Sequence, residues 1–350
     1  MNPKERKVSI APMMDWTDRH FRYFIRLISK YVVLYTEMIP ENSLVFNEHH
    51  PKKLKEILDF HPREKPLIFQ IGGSRIEFIK RWIELIEKWG YDGININAGC
   101  PSSKVQNANF GVILMNDPHK VGKMIKEIQR HTNLPVSIKH RLGFRSNQID
   151  KTQYEDLKNF IETTSQYGCR HYIIHARFAF LENYSPKQNR SIPPLMYDWV
   201  YRVKSEFPKL HIEINGGISS IQEIQRHLEH VDSVMIGRAA YENPYFLKDI
   251  DFLFLKEGSQ KSKIEIFRSF YSYVIEQLEE GIYPHQVIKH TFGLFYGEKN
   301  AKRWKTLLWD NLLMLKKKPI HQIQKQEVIE ILENSLSIFF KSNEIPYTKK

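Results

Sequence analysis

Gly93-Ile94-Asn95-Ile96-Asn97-Ala98-Gly99-Cys100-Pro101-Ser102 is the stretch whose reading decides the fold. Ile94 and Ile96 alternate with asparagines, the pattern of a buried strand. Gly99 and Pro101 then break the run and mark a sharp turn. A cysteine just past the end of a strand, in a loop stiffened by proline, is placed for chemistry. Elsewhere a lone cysteine is more often a small buried hydrophobe, so its surroundings must decide between the two readings.

Runs of the same kind recur on both sides of it. They are Val8–Met13, Val33–Met38, Leu67–Ile71, Gly93–Asn97, Val136–Lys139, His171–His175, His211–Asn215 and Ser233–Ile236. Helical spacing fills most of the gaps: Ile76–Trp89 with Phe78, Ile79, Trp82, Ile83 and Ile86 on one face, His119–His131 with Val121, Met124, Ile125 and Ile128, and Ile221–Leu228. Strands alternating with helices predict parallel β/α units. A barrel of eight such units takes roughly 250 residues. An open doubly wound sheet is the competing architecture, but it favours a glycine-rich fingerprint after the first strand, and Met13-Met14-Asp15-Trp16 is not one. Beyond about residue 255 only helical spacing continues, over Ile264–Gly281, from about Asn300 with Trp304, Leu307, Leu308, Leu312 and Leu315, and over Glu327–Phe340. The expected fold is therefore α/β: a TIM (β/α)8 barrel over residues 1–250 and an all-α helical domain over 251–350.

Composition narrows the function. The chain has 350 residues and 41% hydrophobic content, with no run of ~18 apolar residues that would span a membrane. The start, Met1-Asn2-Pro3-Lys4-Glu5-Arg6-Lys7, is charged and no apolar signal region follows it. Cys100 and Cys169 make no disulfide framework and fit a reducing cytoplasm. The formal net charge of +12 suits a polyanionic partner, since basic side chains displace counterions from phosphates. Between 299 and 318 seven basic residues accompany one acidic residue, Asp310, and Lys302 and Lys305 lie one helical turn apart. A nucleic-acid docking surface is the functional reading of that run.

Enzymatic barrels carry their chemistry at the C-terminal ends of the strands. Those ends read Pro12-Met13, Glu37, Gln70 to Gly73, Asn97 with Cys100, Lys139 with Arg141, His175 with Arg177, Asn215-Gly216-Gly217 and Gly237-Arg238. Glycines after the last two strands suit phosphate binding by freed backbone N–H groups. Lys139 and His175 are candidates to hold a polar ring, unless Lys139 pairs with Glu37 inside the barrel. The loop from Ala176 to Pro194 mixes basic and aromatic residues, as an RNA-binding loop or a solvated lid would. No histidine pair sits at metal-ligand spacing, so no metal is expected, and neither a Gly-x-Ser-x-Gly elbow nor a Walker loop is present.

These segments, together with Lys139-His140-Arg141-Leu142-Gly143 and Ser185-Pro186-Lys187-Gln188-Asn189-Arg190, resemble the tRNA-dihydrouridine synthases, most closely their DusA subfamily, over residues 8–315. The resemblance implies an FMN enzyme, re-reduced by NADPH, that converts U20 and U20a of the tRNA D-loop to 5,6-dihydrouridine. Hydride would pass from flavin N5 to uracil C6, and Cys100 would protonate C5. Pro12, Met13, Met14, Gln70, Lys139 and His175 would line the flavin, and Asn215, Gly216, Gly217, Gly237 and Arg238 would hold its phosphate. Asn97, Lys187, Arg190, Lys302 and Lys305 would touch tRNA around its D-loop and elbow. No membrane and no obligate protein partner is implied. The target base must leave its stack to reach a barrel mouth, which accounts for the basic loop and helices.

Overall fold

A computed structural model describes residues 6–340; residues 1–5 of the charged start and 341–350 of the expected helical domain lie outside the described residues. Eight parallel strands form one sheet: β1 Val8–Ile10, β2 Leu34–Pro40, β3 Leu67–Gly72, β4 Gly93–Ala98, β5 Val136–Arg141, β6 His171–His175, β7 His211–Asn215 and β8 Ser233–Ile236. From β2 to β8 each strand pairs with its neighbours in sequence, and β1 pairs with β8. A bridge from Ser9 to Val33, with Ile10 N–H donating to Val33 O at 2.9 Å, links β1 to the start of β2 and nearly closes the cylinder. Helices surround it, among them Ile76–Glu87, Pro118–His131, Tyr154–Gln166, Tyr197–Glu206 and Ile221–Leu228. The barrel expectation therefore holds. The first strand is shorter than its apolar run, because Pro12 has no N–H to give to a ladder.

The interior explains why these runs become strands. Ala11, Val33, Tyr35, Ile68, Ile173 and Met235 pack as an apolar layer inside the cylinder, with Met13 against it. The helix Ile76–Glu87 buries Ile79, Trp82, Ile83 and Ile86. Phe78, expected on that same face, is only half-buried.

Two compact units divide the chain. One takes the chain up to Arg19 and then Tyr31–Arg238; the other takes His20–Lys30 and the chain from Ala239 onward. The helix Arg19–Ile28, which follows β1 in sequence, thus belongs almost wholly to the second unit. There Tyr23 stacks on Tyr273 at 3.9 Å between ring centroids. The second unit is helical, with Leu247–Leu255, Lys263–Ser269, Tyr271–Glu279, Ala301–Leu315 and Lys325–Leu336 its longer elements. The amphipathic stretch expected over Ile264–Gly281 is two helices that meet at Phe270. Trp304 is fully buried, and its Nε1–H donates to Ser335 Oγ at 3.1 Å. Leu307, expected on the apolar face, is instead exposed.

Candidate active site at the C-terminal ends of the strands

Asn97, the penultimate residue of β4, fixes the turn that carries the thiol. Its Oδ1 accepts from the N–H groups of Gly99 at 3.2 Å and Cys100 at 3.0 Å. Its Nδ2 donates to Gln70 Oε1 at 3.0 Å; Gln70 Nε2 donates to Asn95 Oδ1 at 2.7 Å, and Asn95 Nδ2 to Ser137 Oγ at 2.8 Å. This amide chain crosses β3, β4 and β5, so the turn is anchored to three strands. Gly111, at φ +76°, closes over it: a Cβ there would lie 2.6 Å from the Cys100 carbonyl. Asn97 and Gln70 thus both help to hold the loop, and Gln70 is almost fully buried.

Around the half-buried thiol stand three cations from two segments, Lys139 and Arg141 of β5 and Arg190 of the loop after β6. Burial pushes the Cys100 thiol up, while its bond to the Ser102 backbone and the charges of Arg141, Arg190 and Lys139 pull it down less strongly. Arg141, at the end of β5, is buried. Its Nε donates to Gly99 O at 3.0 Å and one terminal nitrogen donates to Phe178 O and Asn189 O, each at 3.0 Å. In the sequence Arg141 is legible only as a strand end, with no role. The available signal was its i, i+2 spacing from Lys139, which puts both on one face of β5. Asn189 was also missed. Its Oδ1 accepts from Phe180 N–H and its Nδ2 donates to Phe180 O and Tyr184 O, which ties the loop that presents the exposed Lys187 and Arg190.

Lys139 Nζ donates to Asn215 Oδ1 at 3.1 Å, and Asn215 Nδ2 donates to Met235 O at 2.8 Å. Glu37, the alternative partner for Lys139, accepts from Asp15 N–H. Burial and the nearby Arg141 bring Lys139 down to about 8. His175 is held well below its ordinary value by burial and by Arg141, Lys139, Arg177 and Arg238, so its imidazole is neutral. Its Nδ1 is buried with no hydrogen-bond partner. Beyond it, Gly216 and Gly217 take φ of +120° and +75°, which L side chains rarely adopt, and a Cβ on Gly237 would meet nothing within 4 Å. Arg238 donates to Arg190 O at 3.2 Å. On the β1 side Met13 N–H donates to Thr17 Oγ1 at 2.9 Å, Met14 is 53% exposed, and Pro12 leads into this turn.

Cys100, Lys139, Arg141, His175, Asn215, Arg190 and Arg238 are therefore gathered at one end of the barrel. Lys302 and Lys305 lie in the second unit, both exposed on the helix Ala301–Leu315, with Lys305 Nζ 4.9 Å from the Phe292 ring centroid. Among the described residues no group of His, Cys, Asp and Glu could hold a metal ion, and no helix is long and apolar enough to cross a membrane. At the opposite, N-terminal end of the strands is a cavity of about 500 Å3 whose lining includes Ser9, Tyr35, His171, His211 and Glu213. There His171 Nε2 lies 2.9 Å from Glu213 Oε2, and Ser9 Oγ donates to the same carboxylate.

A cation-lined mouth with one cysteine, on an eight-stranded β/α barrel, defines a barrel enzyme whose chemistry sits at its strand ends. A family model described as dihydrouridine synthase (Dus) matches residues 9–332. The chain belongs to the dihydrouridine synthase family. A Synechocystis protein named tRNA-dihydrouridine(20/20a) synthase is 43% identical over 309 residues, covering 88% of this chain and 90% of that one. The protein of the same name from Escherichia coli K12 is 41% identical over 307 residues, covering 87% and 86%. Among solved structures, a 2-naphthoyl-CoA reductase in complex with 2-naphthoyl-CoA has a like fold, with TM-score 0.53 at 10% identity; the likeness covers 70% of this chain and 49% of that one.

Proposed function

We propose that this chain reduces U20 and U20a in the D-loop of tRNA to 5,6-dihydrouridine, using FMN and NADPH, in the cytoplasm. Membership of the dihydrouridine synthase family and the names of its relatives support the reading. The observation that carries it is a half-buried thiol kept protonated beside Arg141, Lys139 and Arg190 at the end of β4.

The residues present fit a flavin mononucleotide. The orphaned Nδ1 of His175, the left-handed Gly216 and Gly217 and the open space before Gly237 are features a ligand would fill. Asn215, Gly216, Gly217, Gly237 and Arg238 would hold its phosphate; Pro12, Met13, Met14, Gln70, Lys139 and His175 would line the ring and ribityl chain. When bound, the flavin supplies the hydride, and NADPH restores it. Cys100 keeps its proton at Sγ until uracil C5 needs it, because burial disfavours the thiolate. His175, neutral, offers a hydrogen bond without adding a fifth positive charge to the group that faces it. Lys139 supplies a cation that its bond to Asn215 aims inward. Asn97 holds the Cys100 turn and, with Lys187, Arg190, Lys302 and Lys305, would meet the RNA. Residues 1–250 would then form the catalytic part and 251–350 the docking part.

The test is direct. Purified chain with FMN, NADPH and an unmodified tRNA transcript should yield dihydrouridine at positions 20 and 20a by mass mapping. Transcript left unreduced, or free uridine reduced as fast as tRNA, refutes the proposal.

A further inference from the structure

The segments leaving β2 and β3 build a feature that the chemistry above does not use. Phe46, just past the short helix Glu41–Val45, is 65% exposed. Within the barrel unit the exposed large apolar side chains among the described residues are Met14, Phe46 and Ile192, and each follows the C-terminal end of a strand. Phe46 is mounted rather than loose. Its ring meets that of Phe78 edge to face, with centroids 6.2 Å apart and planes at 81°. Phe78 sits in the first turn of the helix after β3, and so at the same end of the barrel as Cys100. Two guanidiniums flank it, Arg75 at 4.1 Å and Arg81 at 5.4 Å from the ring centroid.

Those guanidiniums are themselves fixed. Arg75 Nε donates to Glu41 Oε1 at 3.0 Å; Arg81 donates to both oxygens of Glu48, at 2.6 and 3.1 Å. Their side chains stay 38% and 42% exposed. An aromatic ring left in water forgoes the free energy that its burial would bring. An exposed ring held against Phe78, whose two flanking arginines stay part-exposed, matches a nucleobase and a nearby phosphate, since every base has a face to stack and a neighbouring anion. The chain's net charge of +12 agrees with that partner. We propose that Phe46 is a stacking platform for a nucleotide of the tRNA other than the reacting uridine, with Arg75 and Arg81 beside its phosphate.

This inference rests on the tRNA reading above, so its test uses binding as well as turnover. Affinity of the full chain for a fluorescently labelled tRNA transcript is measured by anisotropy, beside steady-state kinetics of the FMN-loaded chain. Phe46→Ala should weaken binding about tenfold and raise KM alike while kcat stays within about twofold; Phe46→Trp should restore both. Arg81→Gln should flatten the salt dependence of binding. Unchanged affinity and KM in Phe46→Ala, or a Phe46→Trp variant as weak as the alanine one, overturns the platform. A wild-type chain that binds tRNA but forms no dihydrouridine overturns the functional reading alone, and the anisotropy series still judges Phe46.

Discussion

Arg141 Nε donates to the carbonyl of Gly99 at 3.0 Å, one residue before the thiol of Cys100. The same guanidinium reaches Phe178 O and Asn189 O. One side chain from β5 therefore locks the cysteine turn after β4 to the basic loop after β6. Burial and the like charges of Arg190 and Arg177 bring its own value down to about 10, and the position beside Cys100 offsets part of that fall. A group that braces two loops and biases a thiol links architecture to reactivity.

Replacing Arg141 by Met should therefore do two things. Three carbonyls lose a charged donor, and buried acceptors without partners cost about 1–3 kcal/mol each at most, so the melting temperature falls by several degrees. The thiol loses a cation that favours its ionisation, so the pH at which iodoacetamide begins to alkylate Cys100 rises. A variant with lower melting temperature but an unmoved alkylation profile would limit Arg141 to scaffolding.

Cys100 itself should titrate late. Its thiol lies above the ordinary 9 because burial disfavours the thiolate. A proton donor works below its pKa, so kcat should stay flat up to about pH 9 and fall above it, while alkylation rises over the same range. Cys100→Ala should keep FMN and tRNA but lose most turnover. Undiminished single-turnover reduction by that variant removes the thiol from the mechanism.

Lys139 is expected to lose its charge near pH 8 in the flavin-free chain. Binding of FMN, followed by quenching of its fluorescence, should then weaken as pH rises through that value. For stability the sign is opposite. The folded value lies below the unfolded 10.5, so between about 8 and 10.5 the unfolded chain holds more protons and stability rises with pH. Lys139→Met should raise the flavin-free chain's stability by about 1–3 kcal/mol below pH 8 and abolish flavin affinity. Equal melting temperatures for the two chains at pH 7 would contradict the cost assigned to this buried cation.

Lys302 and Lys305, exposed on the helix Ala301–Leu315, should act through charge alone. Replacing both with Ala should weaken tRNA binding and lower the slope of log affinity against log salt by about one to two, one phosphate contact per lysine. An unchanged slope would mean the helical unit engages RNA by other residues.

What the sequence determined by itself is the order and identity of the strands and the place of the thiol. Alternating β-branched runs such as Ile94 and Ile96, and the breaks at Gly99, Pro101 and Pro12, are local patterns, and a barrel repeats them one unit at a time. Tertiary structure alone decided that Asn97 and Gln70 brace the turn, that Arg141 spans two loops, that His175 stays neutral, that Phe78 leaves its helix's apolar face for Phe46, and that the helix Arg19–Ile28 joins the second unit. Hydrogen bonds and charge effects of this kind sum over groups far apart in the chain and depend on how much water lies between them. Folding sets both quantities, and no window of neighbouring residues contains them.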